Sequence, residues 1–490
     1  MIKTITSTLP LIHGGRTHAL LRRIKFLEEE LGIKEQQIVT TDYNANYYEV
    51  YRSYLQQKKI TKNIDIINIY DYICRGMLHD ESLMKKIETE IEIEGYSSEI
   101  VPKRNAVRYY YDGEYVLFRK YYDKTRIIQF EDIMTQACKH KIQRNEYNSY
   151  GMLHRIIHYS VEKNIKIHEE LFNLKGQKYM EKFYSDKTPN LVIGIQIYDT
   201  NNLLSFSFSN EDELFVWFFS KIFNDGDTIF NDARLLDYGL LNNTKDTRNF
   251  IVVHSNHLNN ENKLKKRYQY SIDNHDKVSS FIVLTHKQKA HFHQEFNIQN
   301  DKIEVIPHFI KFKNVDRNNI KNRFVYIGRI DENKQVDHII EAFSNFCETE
   351  DEVKLIIYGN GTKTCIENLK KLIESKRLGN KISLKGYCAN PETIFNESMA
   401  SFLTSKTEGF GLVVMESLNA GCPVVSYDLN YGPSDLIQNG KNGILVEQNN
   451  INELAKAMKQ MTQEKFRHVE NLPEFSIEAA KENYKKLLGI

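Results

Sequence analysis

The chain of 490 residues contains, in its last third, the stretch Glu408-Gly409-Phe410-Gly411-Leu412-Val413-Val414-Met415-Glu416. The apolar run Ala400-Ser401-Phe402-Leu403 before it predicts a buried strand, and residues 413–419 predict a helix. A glycine-rich loop between a strand and a helix presents free backbone N–H groups where the helix dipole favours an anion. The stretch therefore predicts a phosphate-binding loop, in which Gly409 and Gly411 let the backbone approach a ligand closely.

Short strands and helices alternate on both sides of this loop. Strands are predicted at 324–327, 353–358, 382–384 and 423–426, with helices at 335–347 and 365–375. Such alternation with short connections is typical of a parallel, doubly wound α/β sheet, which binds ligands beyond the carboxyl ends of its strands. We therefore predict a Rossmann-like domain at 316–475, followed by a C-terminal helix at 476–490.

Charged residues lie where such a domain would bind its ligand. Glu408 at the edge of the loop can accept hydrogen bonds from sugar hydroxyls, and Glu416, one turn into the helix, can reach a ribose diol. Arg329 and Lys334 follow the strand at 324–327 and can neutralise the charge of a departing pyrophosphate. The alternatives are solvated glutamates around a tight turn and two surface cations.

These residues resemble a known family. The Glu-x7-Glu element, with Gly421-Cys422-Pro423-Val424-Val425 and Asn442-Gly443-Ile444-Leu445-Val446, resembles the donor signature of GT-B glycosyltransferases of family 4. The resemblance covers 320–470 densely and the first part of the chain thinly. It implies two Rossmann-like domains facing a cleft, a nucleotide-sugar donor, and retention of configuration at the anomeric carbon.

The resemblance also implies roles for individual residues. Backbone groups of 385–387 would hold the nucleobase, backbone amides after Phe410 would hold the diphosphate, and His254 at a strand end would face the sugar and the acceptor. A structural histidine and a simple Gly-Gly turn are the alternatives for His254 and for Gly14-Gly15. The predicted donor-binding residues are Gly14, Gly15, Lys385, Gly386, Tyr387, Gly409, Phe410, Gly411, Leu412, Val413 and Glu416, and the predicted catalytic residues are Arg329, Lys334, Glu408 and His254.

The first half of the chain has a different texture. Residues 104–111 and 114–121 flank Asp112-Gly113, a signature of a β-hairpin turn. Further strands are predicted at 126–130, 152–159 and 191–198, rich in aromatic and β-branched residues. We predict an antiparallel β-rich module at 76–205, inserted into a first Rossmann-like domain at 1–75 and 206–315. It serves assembly or acceptor docking, or it is a plain structural extension.

An inserted β module in a family 4 enzyme resembles the wall teichoic acid glycosyltransferases, which decorate poly(polyol-phosphate) chains. The stretch Asn430-Tyr431-Gly432-Pro433-Ser434-Asp435 and the Gly14-Gly15 loop agree with that subgroup. The resemblance implies a homotrimer assembled through the β module. A polyphosphate acceptor needs cations, which Lys263, Lys265, Lys266 and Arg267 offer, unless they form a solvated helix face.

The resemblance thus implies transfer of glucose or N-acetylglucosamine from a UDP-sugar to polyol hydroxyls of wall teichoic acid. The donor sugar, and ribitol versus glycerol phosphate in the acceptor, stay open. One alternative is a protein O-glycosyltransferase of Ser-rich adhesins that needs a partner subunit. Another is an inactive GT-B protein that serves as a scaffold or binds polymer.

Composition narrows the partners and the location. The net charge of +1 gives no overall field for nucleic acid, and no apolar run approaches the roughly 18 residues that span a bilayer. We expect at most peripheral membrane contact and a cytoplasmic location, free or at the inner face of the membrane. The six cysteines are scattered singly, so neither a zinc site nor a disulfide framework is indicated.

No metal and no cofactor beyond the donor substrate are predicted. His254-x-x-His257 lacks further ligands at recognisable spacing. Asp225-Gly226-Asp227 matches the Asp-x-Asp of metal-dependent GT-A enzymes but precedes a strand, so a plain turn is predicted.

Overall fold

The structure is a computed structural model that describes residues 1–11, 14–136, 139–259, 263–347, 352–462, 466 and 469–490. His13 of the first loop and Cys138 therefore lie outside the described residues. The chain divides into two compact units, Met1–Asn249 and Phe250–Ile490. No helix among the described residues is both long and apolar enough to span a membrane.

The first unit contains a parallel sheet with the strand order β14-β1-β2-β3. Its helices bury apolar side chains such as Leu20, Ile24 and Val50 against the strands. The elements before the insertion are β1 (Ile2–Thr6), α1 (Gly15–Glu29), β2 (Gln36–Thr40), α2 (Tyr47–Gln56), β3 (Ile64–Asn68) and α3 (Ile69–Ile73).

A ten-stranded antiparallel sheet follows, which we call the β module. Its strands are neighbours in chain order, from β4 at one edge to β13 at the other. They are β4 (Ser97–Val101), β5 (Ala106–Tyr111), β6 (Glu114–Tyr121), β7 (Ile128–Met134), β8 (Lys141–Tyr147), β9 (Leu153–Tyr159), β10 (Lys166–Phe172), β11 (Lys178–Tyr184), β12 (Val192–Tyr198) and β13 (Leu204–Phe208). The predicted antiparallel β-rich module is confirmed.

The predicted hairpin is present, with Asp112 and Gly113 both at positive φ between β5 and β6. After β13 the first unit continues with α4 (Glu211–Ile222), β14 (Thr228–Asn231) and α5 (Asp237–Leu241). Asp225-Gly226-Asp227 forms a turn before β14, with Gly226 at φ +82° and the Asp227 carboxylate 3.4 Å from the Lys3 ammonium. This acidic pair thus has a structural place in the turn.

The second unit begins within β15 (Arg248–Val252), which pairs in parallel with β16 (Ser280–Val283) and, through it, β17 (Ile303–Val305). The helices α6 (Lys266–Asp273) and α7 (His286–Phe296) lie between these strands in the chain. The segment from 309 to 320 contains no helix or strand and leads into β18. Arg317 in this segment is nevertheless buried and donates to the backbone carbonyls of Ser398 and Gly421.

A six-stranded parallel sheet completes the second unit, in the order β20-β19-β18-β21-β22-β23. The chain reverses direction across the sheet between β18 and β21, and ligands bind at such switch points. Its elements are β18 (Lys321–Ile327), α8 (Val336–Phe346), β19 (Lys354–Tyr358), α9 (Lys363–Ser375), β20 (Ile382–Lys385), α10 (Pro391–Asn396), β21 (Ser398–Leu403), α11 (Leu412–Asn419), β22 (Val424–Tyr427), α12 (Pro433–Leu436), β23 (Gly443–Val446), α13 (Ile451–Gln460) and α14 (Ile477–Leu488).

The division into two compact units does not test the finer domain boundaries predicted from the sequence. Those boundaries, 1–75 with 206–315, 76–205, 316–475 and 476–490, stay predictions. The α/β class with parallel sheets and an antiparallel insertion is the architecture observed.

Candidate functional site

The loop after β21 leads directly into a helix start. Gly411 caps α11 with φ +88°, a left-handed conformation that favours glycine, and the helix begins at Leu412. The backbone N–H groups of Leu412 and Val413 lie in the first turn and have no acceptor within the helix. The geometry therefore suits an anion at this position.

Gly409 is required for a reason that its local sequence does not reveal. A Cβ atom at this position would lie 2.2 Å from the carbonyl oxygen of His254 and 2.6 Å from the Cα of Ser255. The loop thus packs directly on the segment after β15. The ring of Phe410 is 2% exposed and meets His308 edge to face, with 5.1 Å between centroids. Phe410 anchors the loop through its buried side chain, so only its backbone is available to a ligand.

Lys334 and Glu408 form one ion pair. The Lys334 ammonium donates to the Glu408 carboxylate, and the Ser405 hydroxyl donates to the same carboxylate oxygen at 2.7 Å. Both paired side chains are largely buried, at 15% and 14% exposure. Sequence reasoning placed both residues at the donor, and the structure brings them together at the switch point between β18 and β21.

Backbone contacts fix these two loops to each other. Asn333 donates from its side-chain amide to the carbonyl of Thr407 at 3.1 Å, and the amide of Lys406 donates to the carbonyl of Asn333 at 2.7 Å. The Thr404 hydroxyl donates to the Lys334 carbonyl at 2.9 Å. The Lys334–Glu408 pair therefore lies in a rigid frame.

Arg329 has a different environment from Lys334. Its side chain is 72% exposed, and its guanidinium lies 2.9 Å from the Asp331 carboxylate. Exposed ion pairs of this kind contribute little free energy. Arg329 can therefore leave Asp331 and reorient toward a phosphate.

The loop after β20 is joined to its neighbours through glycine backbone. The Gly359 amide donates to the carbonyls of Lys385 at 3.2 Å and Gly386 at 3.1 Å. A Cβ on Gly359 would lie 1.9 Å from the carbonyl oxygen of Gly328. Tyr387 extends from this loop with 75% exposure. The structure therefore joins the loops that carry Arg329 and residues 385–387.

The segment after β15 brings polar groups beside Gly409. The ring of His254 stacks on His308, with centroids 5.8 Å apart. Arg267 donates to the Ser255 hydroxyl oxygen at 2.8 Å. Lys265 donates to the Asn256 carbonyl at 2.7 Å, and burial lowers the pKa of its ammonium.

The four predicted acceptor-binding cations therefore have different environments in the structure. Arg267 reaches the residue next to His254, and Lys265 is engaged with backbone. Lys263 and Lys266 are exposed.

Glu416 and the two early glycines complete the predicted set. Glu416 lies half-buried in α11, one turn beyond Leu412. Gly14 caps α1 in an extended conformation, and Gly15 is the first residue of that helix, in the first unit. Roles in donor binding for all three stay predictions.

Sequence reasoning assigned no role to an aromatic cluster behind the loop. Tyr431 is fully buried, its hydroxyl is 2.7 Å from Nδ1 of His291, and its ring stacks on His257 at 5.7 Å. A Cβ on the next residue, Gly432, would lie 1.9 Å from the carbonyl oxygen of Phe410. The Tyr-Gly pair after β22 was the available signal, since such a close approach requires glycine.

The chain is similar to known proteins over this region and over most of its length. Residues 309–482 match the family described as glycosyl transferases group 1. A poly(ribitol-phosphate) alpha-N-acetylglucosaminyltransferase of Staphylococcus aureus is 27% identical over 479 residues, which cover 91% of this chain and 90% of that protein. A poly(glycerol-phosphate) alpha-glucosyltransferase of Bacillus subtilis is 27% identical over 492 residues, covering 95% of this chain and 70% of that protein.

A solved structure shares the fold over nearly the whole chain. A mutant form of S. aureus TarM, in complex with fondaparinux, alpha-GlcNAc-glycerol and UDP, superposes with a TM-score of 0.79 at 23% identity. The match covers 99% of this chain and 96% of that one. The chain therefore has the GT-B fold, and residues 309–482 are similar to group 1 glycosyl transferases.

Proposed function

We propose that the protein transfers glucose or N-acetylglucosamine from a UDP-sugar to polyol hydroxyls of wall teichoic acid, with retention at the anomeric carbon. The observation that carries the proposal is the Lys334–Glu408 pair at the switch point, in the loop that leads to the start of α11. The resemblance over almost the full length to two poly(polyol-phosphate) glycosyltransferases supports the acceptor class. Their names differ in both sugar and polyol, so neither sugar nor polyol is assigned to this chain.

The diphosphate of the donor binds at the start of α11 in this proposal. The amides of Gly411, Leu412 and Val413 donate to phosphate oxygens, and the helix dipole adds attraction. Arg329 turns from Asp331 to the leaving phosphate. Fixed donors of this kind stabilise charge as it develops in the transition state.

The two glutamates and the 385–387 loop position the rest of the donor. Glu408, oriented by Lys334 and Ser405, accepts hydrogen bonds from sugar hydroxyls. Glu416 accepts from the ribose, and the backbone of 385–387 holds the uracil. Gly14 and Gly15 contribute backbone groups to the sugar or phosphate.

The acceptor approaches over the segment after β15. His254 faces the sugar and the acceptor, and Arg267 holds a backbone phosphate of the polymer, supported by Lys263 and Lys266. The acceptor hydroxyl attacks the anomeric carbon on the face that UDP leaves, through an oxocarbenium-like state. The departing phosphate oxygen takes the hydroxyl proton, so the reaction needs neither a metal nor a cofactor.

We also propose a homotrimer assembled through the β module, located in the cytoplasm or at the inner face of the membrane. Three copies would engage several repeats of one polymer and raise the effective acceptor concentration. Sedimentation of the purified chain tests this assembly. A stable monomer at micromolar concentration contradicts it.

The test of the reaction measures UDP release from UDP-glucose and from UDP-N-acetylglucosamine, with and without unglycosylated poly(polyol-phosphate). We expect release that depends on the polymer and on one donor. Release independent of the polymer would leave a glycosyltransferase without the teichoic acid acceptor. No release from either donor would favour an adhesin glycosyltransferase that needs its partner, or an inactive scaffold.

A further inference from the structure

Two histidines face each other across neighbouring strands of the β module. His168 on β10 lies opposite His158 on β9 and opposite Phe183 on β11. The two imidazole rings stack with centroids 5.3 Å apart, and His168 stacks on Phe183 at 4.8 Å. The ring of His168 is therefore held in place from both sides on one face of the sheet.

Two carboxylates lie on the same face. Glu170 is two residues beyond His168 on β10 and lies opposite Glu181 on β11. The distance from His158 Nε2 to Glu170 Oε2 is 3.1 Å, and that from His168 Nε2 to Glu181 Oε1 is 3.7 Å. One ligand atom from each of His158, His168 and Glu170 lies within 4.8 Å of the other two.

The Nε2 atom of His168 is buried and has no hydrogen-bond partner among the described residues. An unsatisfied buried polar atom destabilises the folded state. The Glu181 carboxylate, 3.7 Å away, lies beyond hydrogen-bond distance. A cation between these side chains would give this nitrogen the partner that the protein does not provide.

We propose that the β module binds one Zn²⁺ ion through His158, His168 and Glu170, with a water molecule in the fourth position. Imidazole nitrogen and carboxylate oxygen are ligands that zinc accepts in tetrahedral sites. Bonds of about 2.1 Å place tetrahedral ligand atoms roughly 3.4 Å apart, and the distance of 3.1 Å from His158 Nε2 to Glu170 Oε2 is close to that value. The ion links the neighbouring strands β9 and β10 and takes no part in glycosyl transfer.

Lys178 competes with the ion for the Glu170 carboxylate. Its ammonium contacts Glu181 and lies 3.6 Å from Glu170 Oε1. Zinc carries two charges, and the Lys178 side chain is partly exposed on a flexible stem, so it can turn to solvent when the ion binds. Removal of this lysine therefore strengthens zinc binding, which a merely structural lysine would not do.

The experiment titrates the chelator-treated full chain with ZnCl2 by calorimetry at fixed pH and follows Co²⁺ binding by visible absorption. We expect one ion per chain and a higher midpoint of thermal unfolding with zinc. His168→Asn weakens binding by at least about 100-fold, since even residues behind a metal ligand contribute about 10- to 100-fold. Lys178→Gln tightens binding by at least about tenfold, because it removes one positive charge close to the ion.

The matched control is His140→Asn, at a histidine of the same module whose ring nitrogen bonds the Val161 carbonyl at 2.7 Å. It keeps wild-type zinc affinity. Circular dichroism without metal checks that each variant folds, and His158→Asn, at a more exposed ligand, replaces His168→Asn if that variant does not. Absence of saturable binding, equal affinity in the folded histidine variants, or weaker binding in Lys178→Gln would overturn the proposal.

Discussion

The six-stranded sheet of the second unit and the β module are stabilised by different side-chain contacts, apolar burial in the first and cross-strand charge pairs in the second. In β18 three consecutive residues, Phe324, Val325 and Tyr326, are at most 1% exposed. Parallel strands covered by helices on both faces read as continuous apolar runs. In β8, by contrast, every residue from Lys141 to Tyr147 is partly exposed or exposed.

Opposite charges on neighbouring strands support the β module instead. Asp132 lies directly opposite Arg144, which donates two hydrogen bonds to it at 2.6 and 2.8 Å. Arg119 lies opposite Glu131 and donates to it at 2.6 Å. Cross-strand pairs of this kind stabilise an antiparallel sheet whose faces are only partly buried. The comparison predicts different sensitivities to substitution in the two regions.

The largest effect is expected at the carboxyl ends of the strands of the parallel sheet. Lys334→Ala removes the cation that orients Glu408 and that the sequence predicts to neutralise the departing pyrophosphate. We expect kcat to fall about 10²- to 10³-fold, the range for losing one preorganised electrostatic group. UDP release under saturating donor and polymer measures it.

The control for this variant is Lys456→Ala on α13, where the lysine is exposed. It should keep wild-type turnover. Near wild-type kcat in Lys334→Ala would remove the electrostatic role and leave the ion pair as a structural feature only.

The second effect tests the packing between the loop and the segment after β15. Gly409→Ala places a Cβ atom 2.2 Å from the His254 carbonyl, where both neighbours are backbone. We expect a loss of about 1–3 kcal/mol in the free energy of unfolding and a lower kcat, because the loop must shift. Chemical denaturation and UDP release measure the two losses.

Gly379→Ala is the matched control, since nothing lies within 4 Å of a Cβ there and φ is not positive. It should be neutral or stabilising by up to about 1 kcal/mol. Equal stability of the two variants would show that the loop adapts without cost.

The contrast also explains how far the sequence predicts this structure. The strand at 400–403 and the helix after Gly411 could be predicted. An apolar run indicates a buried parallel strand, and a glycine-rich loop indicates the end of the strand where ligands bind. The hairpin at Asp112-Gly113 was readable because its turn requires positive φ. In both cases the structure depends on residues that are adjacent in the chain, through burial of an apolar strand or positive φ in a turn.

Other features depend on contacts between residues distant in the chain. The strands β8 and β10 were not predicted. Their residues Gln143, Arg144, Glu169 and Glu170 are typical of solvent-exposed segments, and only the cross-strand partners explain why they lie in a sheet. The Lys334–Glu408 pair joins residues 74 positions apart. The contact of Gly409 with His254 likewise has no local signature, so only a ligand-binding reason for that glycine could be predicted.

The third prediction concerns the charge pairs of the β module. Arg144→Met leaves the Asp132 carboxylate, which is 8% exposed, without its two hydrogen bonds. We expect a loss of about 2 kcal/mol in the free energy of unfolding, as for hydrogen bonds to charged groups. Adding Asp132→Leu should recover most of it, because a matched apolar pair can replace a partly buried ion pair.

Arg126→Met is the control, since the Arg126–Glu90 pair is largely exposed and should contribute less than about 1 kcal/mol. Urea denaturation compares the three variants with the wild type. An uncorrected loss in the double variant would mean that the charges themselves specify the register of β7 and β8.

The smallest effect concerns a histidine of the second unit in a mainly aromatic environment, unlike the charged surroundings of the β module histidines. His257 is fully buried among Phe292, Phe296 and Tyr431, and burial lowers its pKa to about 3, with smaller contributions from His291 and Lys265. The unfolded chain binds this proton near its ordinary pKa of 6.5. Stability is therefore fully present above pH 6.5 and is lost as the pH falls toward 3.

Between about pH 7.5 and pH 5.5 this one group should cost about 1.4 kcal/mol of unfolding free energy. His257→Phe keeps an aromatic ring in an apolar site and removes the titration, so its stability should fall less over that interval. His140→Asn, which removes a histidine of the β module outside this aromatic environment, is the control variant. Identical pH slopes for the wild type and His257→Phe would mean that the buried ring finds a proton-stabilising partner, for which the Glu295 carboxylate at 3.7 Å is the nearest candidate.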